Sequence, residues 1–99
     1  MQVDGMGDTS PPAQRLVLDG EYDLARKDEV AKLFDSLDGD GPVIIDLAKV
    51  TYMDSTVLHE LAALRLKSDG RSITLVGVNP HLRRVLDVVN FDRIFDIEE

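Results

Sequence analysis

His59-Glu60 is the first pair in this chain that invites a chemical reading, because it begins the H-E-x-x-H pattern of helix-borne zinc sites. The second imidazole position is Ala63, and a zinc ion needs three or four converging ligands, so the bare pair reads as solvated helix surface. Ser55 and His59 are four residues apart, which on a helix puts a hydroxyl and an imidazole on one face, as a nucleophile and its base would be. The glycines of a nucleophile elbow are missing around Ser55, and a hydrolase would also need a third group to orient the base. The chain has 7 glycines, none arranged as G-x-G-x-x-G or G-x-x-x-x-G-K-[ST], so neither phosphate-cradling loop is present. Arg83-Arg84, with Arg71 and Arg93, could form a basic patch, but on a chain with a net charge of -8 they read as helix-surface charge.

The acids are the remaining group. Asp19, Glu21, Asp23 and Asp54 fall at expected strand ends or in the loops that follow, and parallel strands gather such loops along one edge of a sheet. Helix capping by itself would account for Asp23 and Asp54. Ser55 lies at the same edge, where the positive end of a helix dipole also points and where a phosphate could sit.

The elements that would position these residues are legible from period and punctuation. Val43-Ile44-Ile45 and Leu47 form an apolar run without clean alternation, which predicts a strand covered on both faces. Val50 to Met53 leads on to Asp54 or Ser55 as N-cap of a helix whose buried stripe is Val57, Leu58, Leu61 and Leu64, stopped at Asp69-Gly70. Before it, Leu16-Val17-Leu18 predicts a buried strand stopped by a turn at Gly20, with Glu21-Tyr22-Asp23 as a loop. A helix from Leu24 follows, with stripe Val30, Leu33, Phe34 and Leu37, ending in the Asp38 to Pro42 turn. After it come a short strand at Ser72 to Val76 and a helix opened by Asn79-Pro80, with stripe Leu82, Val85, Leu86 and Val89 and a stop at Asn90. Phe91 to Ile97 reads as a helical turn running into a short edge strand. Alternating strands and helices predict an α/β domain with a small, mostly parallel sheet and three to four helices packed on it.

Composition narrows the functional classes. Ninety-nine residues, 43% hydrophobic and 30% charged, make one globular domain that buries roughly 60% of its unfolded surface, enough for one core but not for a deep cleft as well. The acidic surface repels nucleic acid and anionic membrane and favours a partner with a basic face. With no cysteine, disulfides, thiolate catalysis and Cys-ligated zinc are excluded. Met1 to Pro12 lacks a secretory signal and no run reaches membrane-spanning length, so a cytoplasmic protein is expected. That same Gly-, Asp- and Pro-rich stretch predicts a mobile N-terminal segment over residues 1–14, or a short edge strand near Met1 to Met6, ahead of a domain over 15–99.

Three stretches together resemble the STAS domain of bacterial anti-sigma factor antagonists: Gly20-Glu21-Tyr22-Asp23, Tyr52-Met53-Asp54-Ser55-Thr56, and Asn79-Pro80-His81-Leu82-Arg83-Arg84-Val85-Leu86. The similarity spans about Leu16 to Glu99 in the expected order. It implies a non-enzymatic, cofactor-free partner-switching protein in transcription regulation. In that role the unmodified form binds an anti-sigma factor that is also a serine kinase, and phosphorylation ends the binding. By position the phosphoacceptor is Ser55, and the resemblance places Gly20, Glu21, Asp23, Asp54, Thr56 and Val57 at the partner-facing edge of a monomer or weak dimer. Val57 stands where the family motif has Gly, which favours the other reading, a STAS subunit that assembles constitutively with a transporter or lipid-trafficking complex.

Overall fold

The computed structural model describes residues 13–37, 41–68 and 70–98. Within them, strands β1 (Gln14–Tyr22), β2 (Val43–Met53), β3 (Ile73–Val76) and β4 (Asp96–Ile97) form one parallel sheet in chain order. Parallel neighbours cannot be joined by a tight turn, and the connections carry helices α1 (Lys27–Asp35), α2 (Ser55–Lys67) and α3 (Pro80–Val88). The stretch Met1 to Pro12, the turn residues Asp38 to Asp40 and the stop residue Asp69 lie outside the described residues. Among the described residues no helix is long and apolar enough to cross a membrane.

A sheet whose strands follow chain order, joined by crossovers of one hand, receives its helices on one face. The burial pattern agrees. Val43, Ile45 and Leu47 are fully buried, whereas Ile44 and Asp46 on the opposite face are only partly covered, and Arg15, Val17 and Asp19 of β1 are exposed beside them. The expectation that this strand is covered on both faces is therefore corrected. On the open face the Asp46 carboxylate accepts from the Ala48 amide at 2.9 Å and from Arg15 Nη2 at 2.6 Å, which together hold its pKa below the ordinary value.

Both long strands outrun their expected ends. β1 does not stop at Gly20, and Glu21-Tyr22 is strand, not loop. Gly20, at φ 86°, sits within a bulged stretch where the pairing with β2 slips between Val17 and Asp19 and again between Gly20 and Glu21. β2 continues past Leu47 with its buried positions changing from every second residue to Val50 and Met53.

The helices follow their stripes. Val57, Leu58, Leu61 and Leu64 of α2 are buried, as are Val30 and Phe34 of α1 and Leu82 and Leu86 of α3. Each such side chain contributes roughly 1.5–3 kcal/mol relative to exposure. Leu33, Leu37 and Val85 are partly covered, but Val89 is 40% exposed, because α3 ends before it and Asn90 turns left-handed at φ 62°. Phe91 opens a short 3-10 turn, Phe91–Arg93, and its ring meets Phe95 at a centroid distance of 5.4 Å, just before β4. Asn79 caps α3 by accepting from the Leu82 amide at 2.8 Å, with Pro80 in the first turn.

Arg71 is not helix-surface charge: it lies between α2 and β3 and lines one pocket with Arg65 and Arg93, apart from Arg83 and Arg84. It is buried, donating from Nε to the Gly41 carbonyl and from Nη2 to the Gln14 side chain at 2.6 Å, while Arg83 pairs with Asp87 at 3.0 Å.

Two glycines at similar positive φ make a controlled comparison. A Cβ on Gly77 (φ 71°) would lie 2.7 Å from Ala48 Cβ and 2.8 Å from Ala48 N, whereas one on Gly70 (φ 77°) would meet nothing within 4 Å. Gly70→Ala should cost about 1–2 kcal/mol for the left-handed backbone alone. Gly77→Ala should cost that plus about 1–3 kcal/mol of overpacking against β2. Urea denaturation of both variants checks the difference, and equal losses would mean that the contact with Ala48 yields freely.

Candidate functional site

β1 and β2 end side by side, with Glu21 opposite Tyr52 and Tyr22 opposite Met53. The next residue extends the ladder by one bond, from the Asp54 amide to the Tyr22 carbonyl at 3.1 Å. At a strand spacing of about 4.8 Å, the loop after β1 and the start of α2 are therefore direct neighbours.

Asp54 is extended (φ -98°, ψ -178°), and its Oδ1 accepts from the Thr56 amide at 2.9 Å. Its carbonyl accepts from the Val57 and Leu58 amides at 3.2 and 3.3 Å. Between the two expected caps, Asp54 is the N-cap, and Ser55 is the first residue of α2. Its side chain is exposed, and no hydrogen bond ties its hydroxyl to another of the described residues. A kinase can reach such a hydroxyl without unfolding anything, and the helix dipole tolerates a phosphate there.

The same edge gathers Glu21 and Asp23, both exposed, and Gly20, Asp54 and Thr56, each partly covered. Asp23 caps the 3-10 turn Leu24–Arg26, its Oδ1 accepting from the Ala25 amide at 3.0 Å, so α1 begins at Lys27 and not at Leu24. Asp19 lies one step away, inside β1 at the first register slip and not at a strand end. Val57 is not on this edge: it is 0% exposed and packs in the core, so its side chain presents nothing to a partner. Ser55 and His59 share α2 but make no hydrogen bond to each other, so His59 is not positioned as a base for the Ser55 hydroxyl. Among the described residues no group of three or more His, Asp or Glu side chains converges to hold a metal.

Sequence reasoning missed the apolar part of the edge. Leu24 is 69% exposed in the turn after β1, and Tyr52 is 52% exposed at the end of β2. Both were absorbed into element patterns. Tyr52 is out of phase with the buried positions of β2, which shows only once the register slips are known, and Leu24 lies in the 3-10 turn ahead of the α1 stripe. Alongside α2 runs an apolar groove of about 250 Å³, lined by Leu58, Ala62, Val89 and Phe91, with Ser55 and His59 on its wall.

Comparison with known proteins adds to this geometry. The sequence profile of the family described as "Mlab, STAS domain" matches residues 6–97. A STAS-domain containing protein of Pseudomonas aeruginosa (strain UCBPP-PA14) is 36% identical over 56 residues, which is 54% of this chain and 55% of that protein, so the chain spans about half the length of the curated relative it matches. A sulfate transporter family protein from Wolinella succinogenes has a similar fold, with a TM-score of 0.73 at 17% identity, covering 94% of this chain and 82% of that one. The STAS domain of a SulP transporter from Vibrio cholerae gives 0.67 at 16% identity, covering 95% and 80%.

The cap makes a stability prediction that is independent of any partner. Asp54→Ala removes the acceptor for the Thr56 amide and should destabilise the protein by about 0.5–2 kcal/mol, while Asp54→Asn, which retains an acceptor, should lose less. Thermal denaturation of the two variants measures the order; an Asn variant as unstable as the Ala variant would place the effect in the charge and not in the hydrogen bond.

Proposed function

As the chain belongs to the STAS-domain family, we propose that it is an anti-sigma factor antagonist whose docking edge is switched by phosphorylation of Ser55. In this reading the unmodified edge binds an anti-sigma factor that is also a serine kinase, and phosphorylation releases it. STAS domains are generally non-catalytic, and docking is the role the edge suits. The observation that carries the reading is the exposed Ser55 hydroxyl in the first turn of α2, without a hydrogen bond among the described residues, directly after a capping aspartate and beside Glu21 and Asp23.

The chemistry supports the switch. A phosphate adds about -1.5 to -2 charges at neutral pH. At a helix N-terminus that charge leaves the fold in place, but beside Asp54, Glu21 and Asp23 it raises the cost of desolvating the edge against a partner fitted to a neutral hydroxyl. Leu24 and Tyr52 supply the apolar contact such a partner would cover, since an aromatic anchor commonly carries more of an interface than its rim charges.

A second reading, a STAS subunit assembled constitutively with a transporter or lipid-trafficking complex, draws on the apolar groove between α2 and the residues after α3, where Val89 is 40% exposed. Permanent interfaces are the more hydrophobic kind. Two solved structures of similar fold are, by name, a sulfate transporter family protein and a SulP transporter STAS domain.

Incubation with an anti-sigma factor serine kinase from the same organism and ATP, followed by mass spectrometry, should place one phosphate on Ser55 and none on a Ser55→Ala variant. Ser55→Asp should weaken binding of that kinase at least tenfold while Ser55→Ala retains it. An unmodified Ser55, together with equal binding by the Ala and Asp variants, would sink the switch. Copurification of a stable partner that is not an ATP-binding kinase would then select the constitutive subunit.

A further inference from the structure

We propose that Arg26 is a positioning residue for the docking edge, its guanidinium holding the Asp19 to Asp23 segment in the shape in which it stands beside the opening of α2. The inference rests on the docking reading above and adds to it a residue that lies outside all three resembling motifs.

Arg26 ends the 3-10 turn after β1, and its side chain folds back over the strand it has just left. The guanidinium carbon lies 3.9 Å from the centroid of the Tyr22 ring. Nη1 donates to the Asp19 carbonyl at 2.8 Å and to the Glu21 carbonyl at 3.3 Å. Nη2 donates to the Tyr22 hydroxyl at 3.2 Å, and Nε and Nη2 grip the Glu29 carboxylate at 3.1 and 2.6 Å. A guanidinium has five N–H donors, and these five bonds use the whole fork.

The two carbonyls flank Gly20, which lies between the two register slips with its backbone at φ 86°, and both reach the same donor. A Cβ at Gly20 would come within 3.2 Å of Nη1, so the left-handed backbone and the approach of the guanidinium both call for glycine there. The Tyr22 hydroxyl also accepts from the Asp19 amide at 2.9 Å, which closes the network on itself.

The network reaches the phosphorylatable helix through one strand residue. Arg26 holds Tyr22 by its ring and hydroxyl; the Tyr22 carbonyl accepts from the Asp54 amide at 3.1 Å; and Asp54 caps α2 through Thr56 at 2.9 Å. Displacing the turn therefore displaces the residue immediately before Ser55. The Glu29 hydrogen bond raises the pKa of Arg26 further above its ordinary value, and the same bond keeps that of Glu29 below the usual carboxylate range. The clamp stays charged at neutral pH, as a permanent support must. A lysine cannot replace it, because an ammonium is a point donor and cannot span two carbonyls, a phenol and a carboxylate together.

The test compares Arg26→Lys, which keeps the charge, with Glu29→Gln, which frees the fork from its carboxylate only. Amide hydrogen exchange of the full chain is followed by NMR. In Arg26→Lys the amides of Asp19, Glu21 and Asp54 should exchange at least tenfold faster, with those of Leu61, Leu64 and Leu75 unchanged; Glu29→Gln should show a smaller effect at the same positions. Unchanged exchange at Asp54, or equal acceleration through α2 and β3 as in a general loss of stability, would overturn the positioning role.

Binding of the anti-sigma factor kinase supplies the second arm. Arg26→Lys should weaken it about tenfold, and wild-type affinity for a kinase that does discriminate Ser55→Asp would overturn the role of Arg26 while leaving the phosphoswitch standing. A kinase indifferent to Ser55→Asp would instead remove the phosphoswitch, and the exchange pattern would still decide whether Arg26 positions the edge.

Discussion

The pairing of β1 with β2, carried through to the final residues of both strands, is the interaction on which the rest of the carboxyl edge depends. It ends with Tyr22 opposite Met53 and is extended by the bond from the Asp54 amide to the Tyr22 carbonyl. Because a single residue of slip reverses which face a strand side chain occupies, the two register slips, each of which adds one residue to β2, are what bring Val50 and Met53 into the core beside a β1 that alternates without interruption as far as Tyr22. Glu21 and Tyr52 are thereby turned outward, and the capping aspartate of α2 arrives beside the turn that carries Asp23. Strands ending at Gly20 and Leu47 would have left two loose loops in place of one registered edge.

What the sequence made legible was what depends on near neighbours. The stripes of α1 and α2, the Asn79-Pro80 opening of α3 and the stop at Asn90 all follow from a 3.6-residue period and from capping chemistry within a few residues. The strand ends were misjudged because a glycine inside a strand and a glycine ending one look alike, and only the pairing partner tells a bulge from a stop. Coverage of β2 on one face was equally hidden: Ile44 and Ile45 have the same composition, and which of them meets helices is decided by where the crossovers land. Arg71 looked like surface charge because its acceptors on Gly41 and Gln14 are 30 and 57 residues away in sequence.

The candidate site divides in the same way. That Asp54 or Ser55 would cap α2 could be read from residue type, but only backbone geometry assigns the cap to Asp54 and so leaves the Ser55 hydroxyl out of the capping bonds. Val57 was placed at the edge by its position in the motif, and the helical rotation of about 100° per residue takes it from there into the core. Arg26 carried no sequence signal, since its importance comes from a side chain folding back on a bulge that was itself unforeseen.

Electrostatic magnitude decides whether one edge could keep its fold and still work as the proposed switch. Two like unit charges about 6 Å apart repel by about 0.7 kcal/mol at the dielectric constant of water and by nearly ~3 kcal/mol at an effective value near 20. In the free protein the edge is solvated and screened, so a phosphate on Ser55 near Asp54, Glu21 and Asp23 costs α2 little, and the helix dipole offsets part of it. A docked partner strips that water away and moves the same charges toward the less screened limit. A few such pairs then exceed the 1.4 kcal/mol that separates each tenfold step in affinity several times over. The acids that are harmless to folding are thus the ones that would make binding sensitive to a single added phosphate, provided the edge is held rigid enough that the charges cannot move apart. Rigidity is what the network of Arg26, Tyr22 and Asp54 contributes.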